Sequence, residues 1–148
     1  MQPAPSIAAS LGLILNRSFR KDLHRELTVD VADGLSEATY PVLSALERAN
    51  GPVSAATLAP LLGLDRSVVS RRAARLIDTG LITSTAGEGD RRQALLTLTV
   101  EGALAVQETR RRLDVAVARH IEGWTSSERE DFAVLLERFA GTPLGDAG

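Results

Sequence analysis

A mostly α-helical fold carrying one small β-hairpin follows from three features of this 148-residue sequence. Apolar residues recur at helical spacing through most of its length. Two short helices, with start signals at Ser54 and Asp65, are separated by Gly63. After Gly80, two short runs flank a turn-rich tip, Gly87-Glu88-Gly89-Asp90-Arg91-Arg92. Helix, turn, basic helix, hairpin is the order of a winged helix-turn-helix, which lays one helix in a DNA major groove and a loop near the minor groove. The helices before and after this unit form a helical dimerisation region.

Each element has its own signal. From Ser6 to Leu27 the residues Ile7, Leu11, Leu15, Phe19, Leu23 and Leu27 repeat every four positions, which predicts a single helix with one apolar face. A second helix starts near Ser36–Thr39, because Pro41 is tolerated only in a first turn, and stops at Asn50-Gly51-Pro52. Ser54 caps a short helix holding Leu58, Leu61 and Leu62, with Pro60 making its end irregular. Asp65 caps the next, whose inward positions are Val69, Ala73 and Leu76 and whose opposite face is Ser67, Ser70, Arg71, Ala74 and Asp78. Gly80 supplies the left-handed residue that ends it. Strands Leu81–Thr85 and Gln93–Leu98 make the hairpin. Thr99 caps a long helix to about Gly123, with Leu104, Leu113, Val117 and Ile121 among its apolar positions. Thr125-Ser126-Ser127-Glu128 is a capping box for a last helix carrying Phe132, Leu135, Leu136 and Phe139.

Composition narrows the class. Zero cysteines exclude disulfides, thiolate metal sites and thiol redox sensing. No apolar run approaches the roughly 20 residues that span a bilayer. The start of the chain lacks the basic residues of a signal peptide, so a cytoplasmic location is expected. The net charge of −2 conceals a local excess. Residues 65–92 hold six arginines against Asp65, Asp78, Glu88 and Asp90, whereas residues 93–148 hold six basic and nine acidic side chains. Positive charge concentrates where a phosphate backbone would lie.

The arginines and serines of the basic helix are the main candidate contacts. Arginine reads guanine through two parallel hydrogen bonds, and serine serves bases or phosphates. Ser67, Ser70 and Arg71 are the base-edge candidates, with Arg66, Arg72 and Arg75 as phosphate contacts. At the tip, Asp90 orients one of Arg91 and Arg92 while the other enters the minor groove, whose negative potential attracts arginine. His24 and His120, far apart and without cysteine, make a weak metal case, so no metal or cofactor is expected. Arg110-Arg111-Arg112, beside Glu108 and Asp114, reads as a solvated face. No Ser/His/Asp arrangement, phosphate loop or carboxylate pair argues for an enzyme.

The run Leu58-Ala59, Leu64-Asp65-Arg66-Ser67-Val68-Val69-Ser70-Arg71, Leu76, Gly80-Leu81-Ile82, Asp90-Arg91-Arg92 and Leu98-Thr99-Val100-Glu101-Gly102 resembles the MarR (multiple antibiotic resistance regulator) family of bacterial transcription factors. The resemblance implies a homodimer with two winged domains on a helical base. It also implies a pseudo-palindromic operator and release by a small-molecule effector. By the same resemblance Arg92 is the wing-tip arginine, ahead of Arg91. Family effectors bind between the dimer helices and the winged domain, where Arg17, His24, Tyr40 and Trp124 are contributors to consider. Two departures stand out: Thr83-Ser84-Thr85 lacks the arginine many members carry after Gly-Leu-Ile, and Arg72 occupies a position that is more often apolar.

The expected organisation is a dimerisation helix in residues 6–35, a winged helix-turn-helix in 36–99 and dimerisation helices in 100–141. The expected function is a sequence-specific regulator of transcription, a homodimeric repressor whose partners are duplex DNA, a second copy of itself and a small-molecule effector. The alternative is a winged-helix module for protein or RNA interaction.

Overall fold

A computed structural model describes residues 2–86 and 93–142. The tip at residues 87–92, with Asp90, Arg91 and Arg92, therefore lies outside the described residues. Two compact units, residues 1–112 and 113–148, make up the chain.

The first unit opens with α1 (Pro3–Leu15) and α2 (Arg17–Thr28). The single helix expected across Ser6–Leu27 is broken at Asn16. Its side chain accepts a 2.8 Å hydrogen bond from the Ser18 backbone N–H, giving the second segment a cap of its own. Nothing in α1 is buried, and in α2 only Leu27 and Thr28 are.

Helix α3 (Tyr40–Ala49) begins late, with Pro41 in its first turn, and ends at Asn50 in the left-handed conformation. It buries Val42, Leu43 and Leu46 at the centre of the core. A two-residue strand, β1 (Val53–Ser54), then leads into α4 (Ala55–Leu62), where the Ser54 hydroxyl accepts from the Thr57 N–H. Pro60 lies inside α4, where Leu58 is buried and Leu61 is 72% exposed. Gly63, at φ +62°, makes the turn into α5 (Arg66–Asp78).

Strands β2 (Ile82–Ala86) and β3 (Ala94–Leu98) form the antiparallel hairpin, and β1 pairs with the outer side of β3 through Val53 opposite Leu96. The sheet therefore has three strands in the order β1-β3-β2, one more than the sequence predicts. Leu58, Val69, Leu76, Ile82 and Leu96 close the core from the helices and the sheet.

Helix α6 (Val100–His120) meets this core with Gly102, Ala105, Val106 and Thr109. That face has small residues at positions i, i+3, i+4 and i+7, whereas Leu104, one of the helix's expected apolar positions, is 58% exposed. A Cβ at Gly102 would run into the Leu81 carbonyl oxygen, so the helix approaches the turn after α5 as only glycine allows. Thr99 fastens the same joint: its hydroxyl donates to the Gly80 carbonyl at 2.7 Å and accepts from the Gly102 N–H at 3.0 Å.

The second unit contains α7 (Ser126–Ala140), which starts with the expected capping box between Thr125 and Glu128. Trp124 and Phe132 meet edge to face at 5.2 Å. None of the residues of α7 is buried, so Phe132, Leu135 and Leu136 remain exposed.

Candidate nucleic-acid interface

The geometry of α5 is fixed from its inner side. Val69, Ala73 and Leu76 are buried, which anchors the helix and fixes the direction of every other side chain at 100° per residue. Its start differs in detail from expectation: Asp65 has the extended backbone of a capping residue, yet its side chain makes no cap hydrogen bond. At the other end, Gly80 at φ +78° follows Thr79, and the Leu81 N–H bonds the Leu76 carbonyl at 2.9 Å.

Around this helix the candidate residues separate into three directions. Ser67 and Arg71 point outward with Asp78, all exposed. Arg66 and Ser70 lie on the flank toward the hairpin, where both line a cleft of about 260 Å³ against Ser84, Gln93 and Ala94. Arg72 and Arg75 lie on the opposite flank. Arg72 is half-buried. Arg75 borders an open pocket of about 610 Å³ with Asp30, Asp33 and Ser36, residues of the segment between α2 and α3. The six helix residues thus share one element without forming one cluster.

That acidic segment is itself pinned. The Thr39 hydroxyl donates to the Gly34 carbonyl at 2.7 Å and accepts from the Ser36 N–H at 2.9 Å. Gly34, at φ +80°, packs so closely on Thr79 that a side chain there would collide with it. The end of α5 is therefore buttressed by the α2–α3 connection.

The arginine triplet is not simply a solvated face. Arg110 forms a two-pronged ion pair with Glu47 of α3, at 2.8 and 2.7 Å. Arg112 donates to the Val29 carbonyl at 2.6 Å, closing the end of α2, and shares Glu108 with Arg111. Hydrogen bonds from Arg111 and Arg112 pull the Glu108 carboxyl down to about 2. Only Arg111 keeps the expected character, bonding along its own helix.

His24 and Tyr40 are brought together, their rings edge to face with centroids 5.6 Å apart. Partial burial, and then the positive charge of Arg20, lower the His24 pKa below its usual value. Arg17 is exposed on α2, and Trp124 belongs to the second unit. Among the described residues there is no group of three or more His, Asp or Glu side chains placed to hold a metal ion, and no helix is long and apolar enough to cross a membrane.

The MarR family model matches residues 33–93, the span that contains α3, α4, α5 and the first strand of the hairpin. The match covers the helix-turn-helix segment and less than half of the chain. No curated protein matches the sequence. Among solved structures, the YusO protein of Bacillus subtilis is 25% identical, with 96% of this chain and 97% of that one covered and a TM-score of 0.73. MarR of E. coli in its apo form, 18% identical, shares the fold over 89% of this chain and 95% of its own, at a TM-score of 0.71. The PcaV transcriptional regulator of Streptomyces coelicolor, solved in complex with its natural ligand, is 27% identical over 79% of this chain and 83% of its own, at a TM-score of 0.56. The mostly helical fold with a small hairpin expected from the sequence is thus shared with solved MarR structures.

Two polar residues on this face, Ser84 and Gln93, belong to no motif in the sequence. Ser84 lies midway along β2 and Gln93 just before β3, both across the cleft from Arg66 and Ser70. Strand alternation places Ser84 on the same side of β2 as Ile82, and that was the available clue.

Proposed function

We propose that this protein is a MarR-type DNA-binding transcriptional regulator, a homodimeric repressor that binds a pseudo-palindromic operator and leaves it when a small-molecule effector binds. The observation that carries the reading is α5: its apolar side is buried, while Ser67 and Arg71 stand exposed on its outer face with further arginines on both flanks. A rigid helix with that display suits entry into a major groove, with Arg71 and Ser67 at base edges. Residues 36–99 would read DNA, and Arg91 and Arg92, with Asp90 orienting them, would enter the adjacent minor groove.

Residues 6–35 and 100–141 would pair two copies. Support comes from apolar side chains left uncovered in each unit: Leu13, Ile14 and Phe19 in the first, Phe132, Leu135 and Leu136 in the second. A two-fold dimer would present two recognition helices about 34–36 Å apart, one turn of duplex. The ligand complex of PcaV supports an effector for this protein too. An effector releases DNA only if it binds the DNA-free conformation more tightly than the DNA-bound one.

The test is selection of genomic duplex fragments by the purified protein, followed by anisotropy titrations at several salt concentrations. An inverted repeat with half-sites about ten base pairs apart, bound by a dimer, is the expected result. Binding to a protein or RNA partner with indifference to duplex DNA would overturn it. Within the selected site, Arg92→Ala is expected to cost about 1–3 kcal/mol with dimerisation intact, and unchanged affinity would remove the wing from the interface.

A further inference from the structure

We propose that the cleft between α5 and the hairpin seats one sugar–phosphate unit of the bound DNA strand, held by the uncharged side chains of Ser84 and Gln93 opposite Arg66 and Ser70. The proposal rests on the reading of α5 as the helix that faces DNA and adds a second, neutral contact surface to it.

The cleft has two walls of different origin. One is the hairpin-facing flank of α5, the other the middle of β2 and the start of β3, with a volume of about 260 Å³ between them. Small side chains keep it open: Ala73, Ala74 and Ala94 contribute single methyl groups. Its polar lining consists of hydroxyls, one amide and the Arg66 guanidinium, and no carboxylate lines it among the described residues. The pocket on the other flank, by contrast, pairs Arg75 with Asp30 and Asp33. An anion is therefore accommodated on the hairpin side and opposed by like charge on the other.

The chemistry matches a nucleotide backbone. Phosphate oxygens accept hydrogen bonds from serine hydroxyls and glutamine amides as well as from arginine. The apolar surface of Ala74 and Ile77 suits the carbon face of a deoxyribose. Position matters as much. A strand passing from the outer face of α5, at Ser67 and Arg71, toward the hairpin crosses this cleft, so the seat is continuous with the recognition surface. The stretch Thr83-Ser84-Thr85 contains no arginine, and a hydrogen-bonding seat supplies hold there without charge.

Neutral and charged contacts leave different marks on the salt dependence. An arginine that meets a phosphate displaces counterions, whereas serine and glutamine displace none. The full chain would be titrated with its selected duplex and with unrelated duplexes, at several salt concentrations. Ser84→Ala combined with Gln93→Ala is expected to weaken binding about ten-fold on every duplex while leaving the salt slope unchanged. Arg66→Ala is expected to lower that slope by about 1. Ala94→Leu fills the seat and is expected to weaken binding without removing any polar group. Ser84, Gln93 and Ala94 are exposed, so an unchanged thermal melt verifies the fold of these variants. Unchanged affinity in both the double variant and Ala94→Leu would overturn the assignment, as would a loss confined to one base-pair position. Absence of any duplex binding by the unaltered chain would instead overturn the reading of α5 and, with it, this seat.

Discussion

Arg71 and Arg66 differ in what their loss should do, and the difference follows from where α5 points them. Arg71 faces outward, so Arg71→Ala is expected to relax base preference at one half-site position, at a cost of about 1–3 kcal/mol. Titrations against single-base variants of the operator check this; uniform weakening would place Arg71 on phosphate. Glu108 illustrates a residue whose charge state matters for the protein itself. Its carboxyl is held at about 2 by Arg111 and Arg112, below an ordinary value of 4.5. A depressed carboxylate adds stability above its unfolded pKa and loses it as pH falls toward the folded value. Removing it with Glu108→Gln is therefore expected to flatten the acid limb of the stability curve between about pH 4.5 and 2, as read from denaturant melts. Since the group lies at the surface, the change should be small. His24 contributes in the same direction at higher pH. Its pKa is lowered on folding, so stability falls as pH drops below about 6.5.

At the scale of elements, sequence and structure agree where the signal is local and part where it is not. Ser54 before α4, the Thr125–Glu128 box before α7 and Gly80 after α5 are all visible in short motifs, because each acts on backbone a few residues away. Thr125→Ala is expected to cost α7 about 1 kcal/mol, measurable as faster amide exchange at Glu128. The break at Asn16 was hidden because the four-residue apolar repeat runs straight through it. Strand β1 consists of two residues, too few for alternation to register. The face by which α6 meets the core leaves little apolar signature in sequence, for a physical reason. Close helix packing selected Gly102 and Ala105, while hydrophobic periodicity directs attention to the exposed Leu104. Partners distant in sequence, Glu47 for Arg110 and Val29 for Arg112, could not be read from Glu108 and Asp114 alongside. The candidate site was legible to the same degree: periodicity separated the inner from the outer face of α5, but Ser84 and Gln93 join it only through the hairpin's packing.

For the whole molecule, the uncovered apolar side chains set the expected assembly. Phe19→Asp places a charge among them and is expected to shift the protein from dimer to monomer in sedimentation equilibrium, with helix content preserved and operator affinity reduced. A dimer unaffected by this change would exclude α2 from the contact. The joint at Gly102 bears on how such an assembly moves. Side-chain contacts absorb displacement by changing rotamer, but here α6 rests on the Leu81 backbone with no side chain between them, and Thr99 ties it to the Gly80 carbonyl. A joint of that kind has no play. Gly102→Ala would force the two apart and is expected to cost about 1–3 kcal/mol in denaturant melts. In the native chain, any tilt of the first turns of α6 is handed undiminished to the turn that both ends α5 and begins the hairpin. Helix α5 and the hairpin, the two elements proposed to read DNA, are therefore steered from one hinge pin and must swing together.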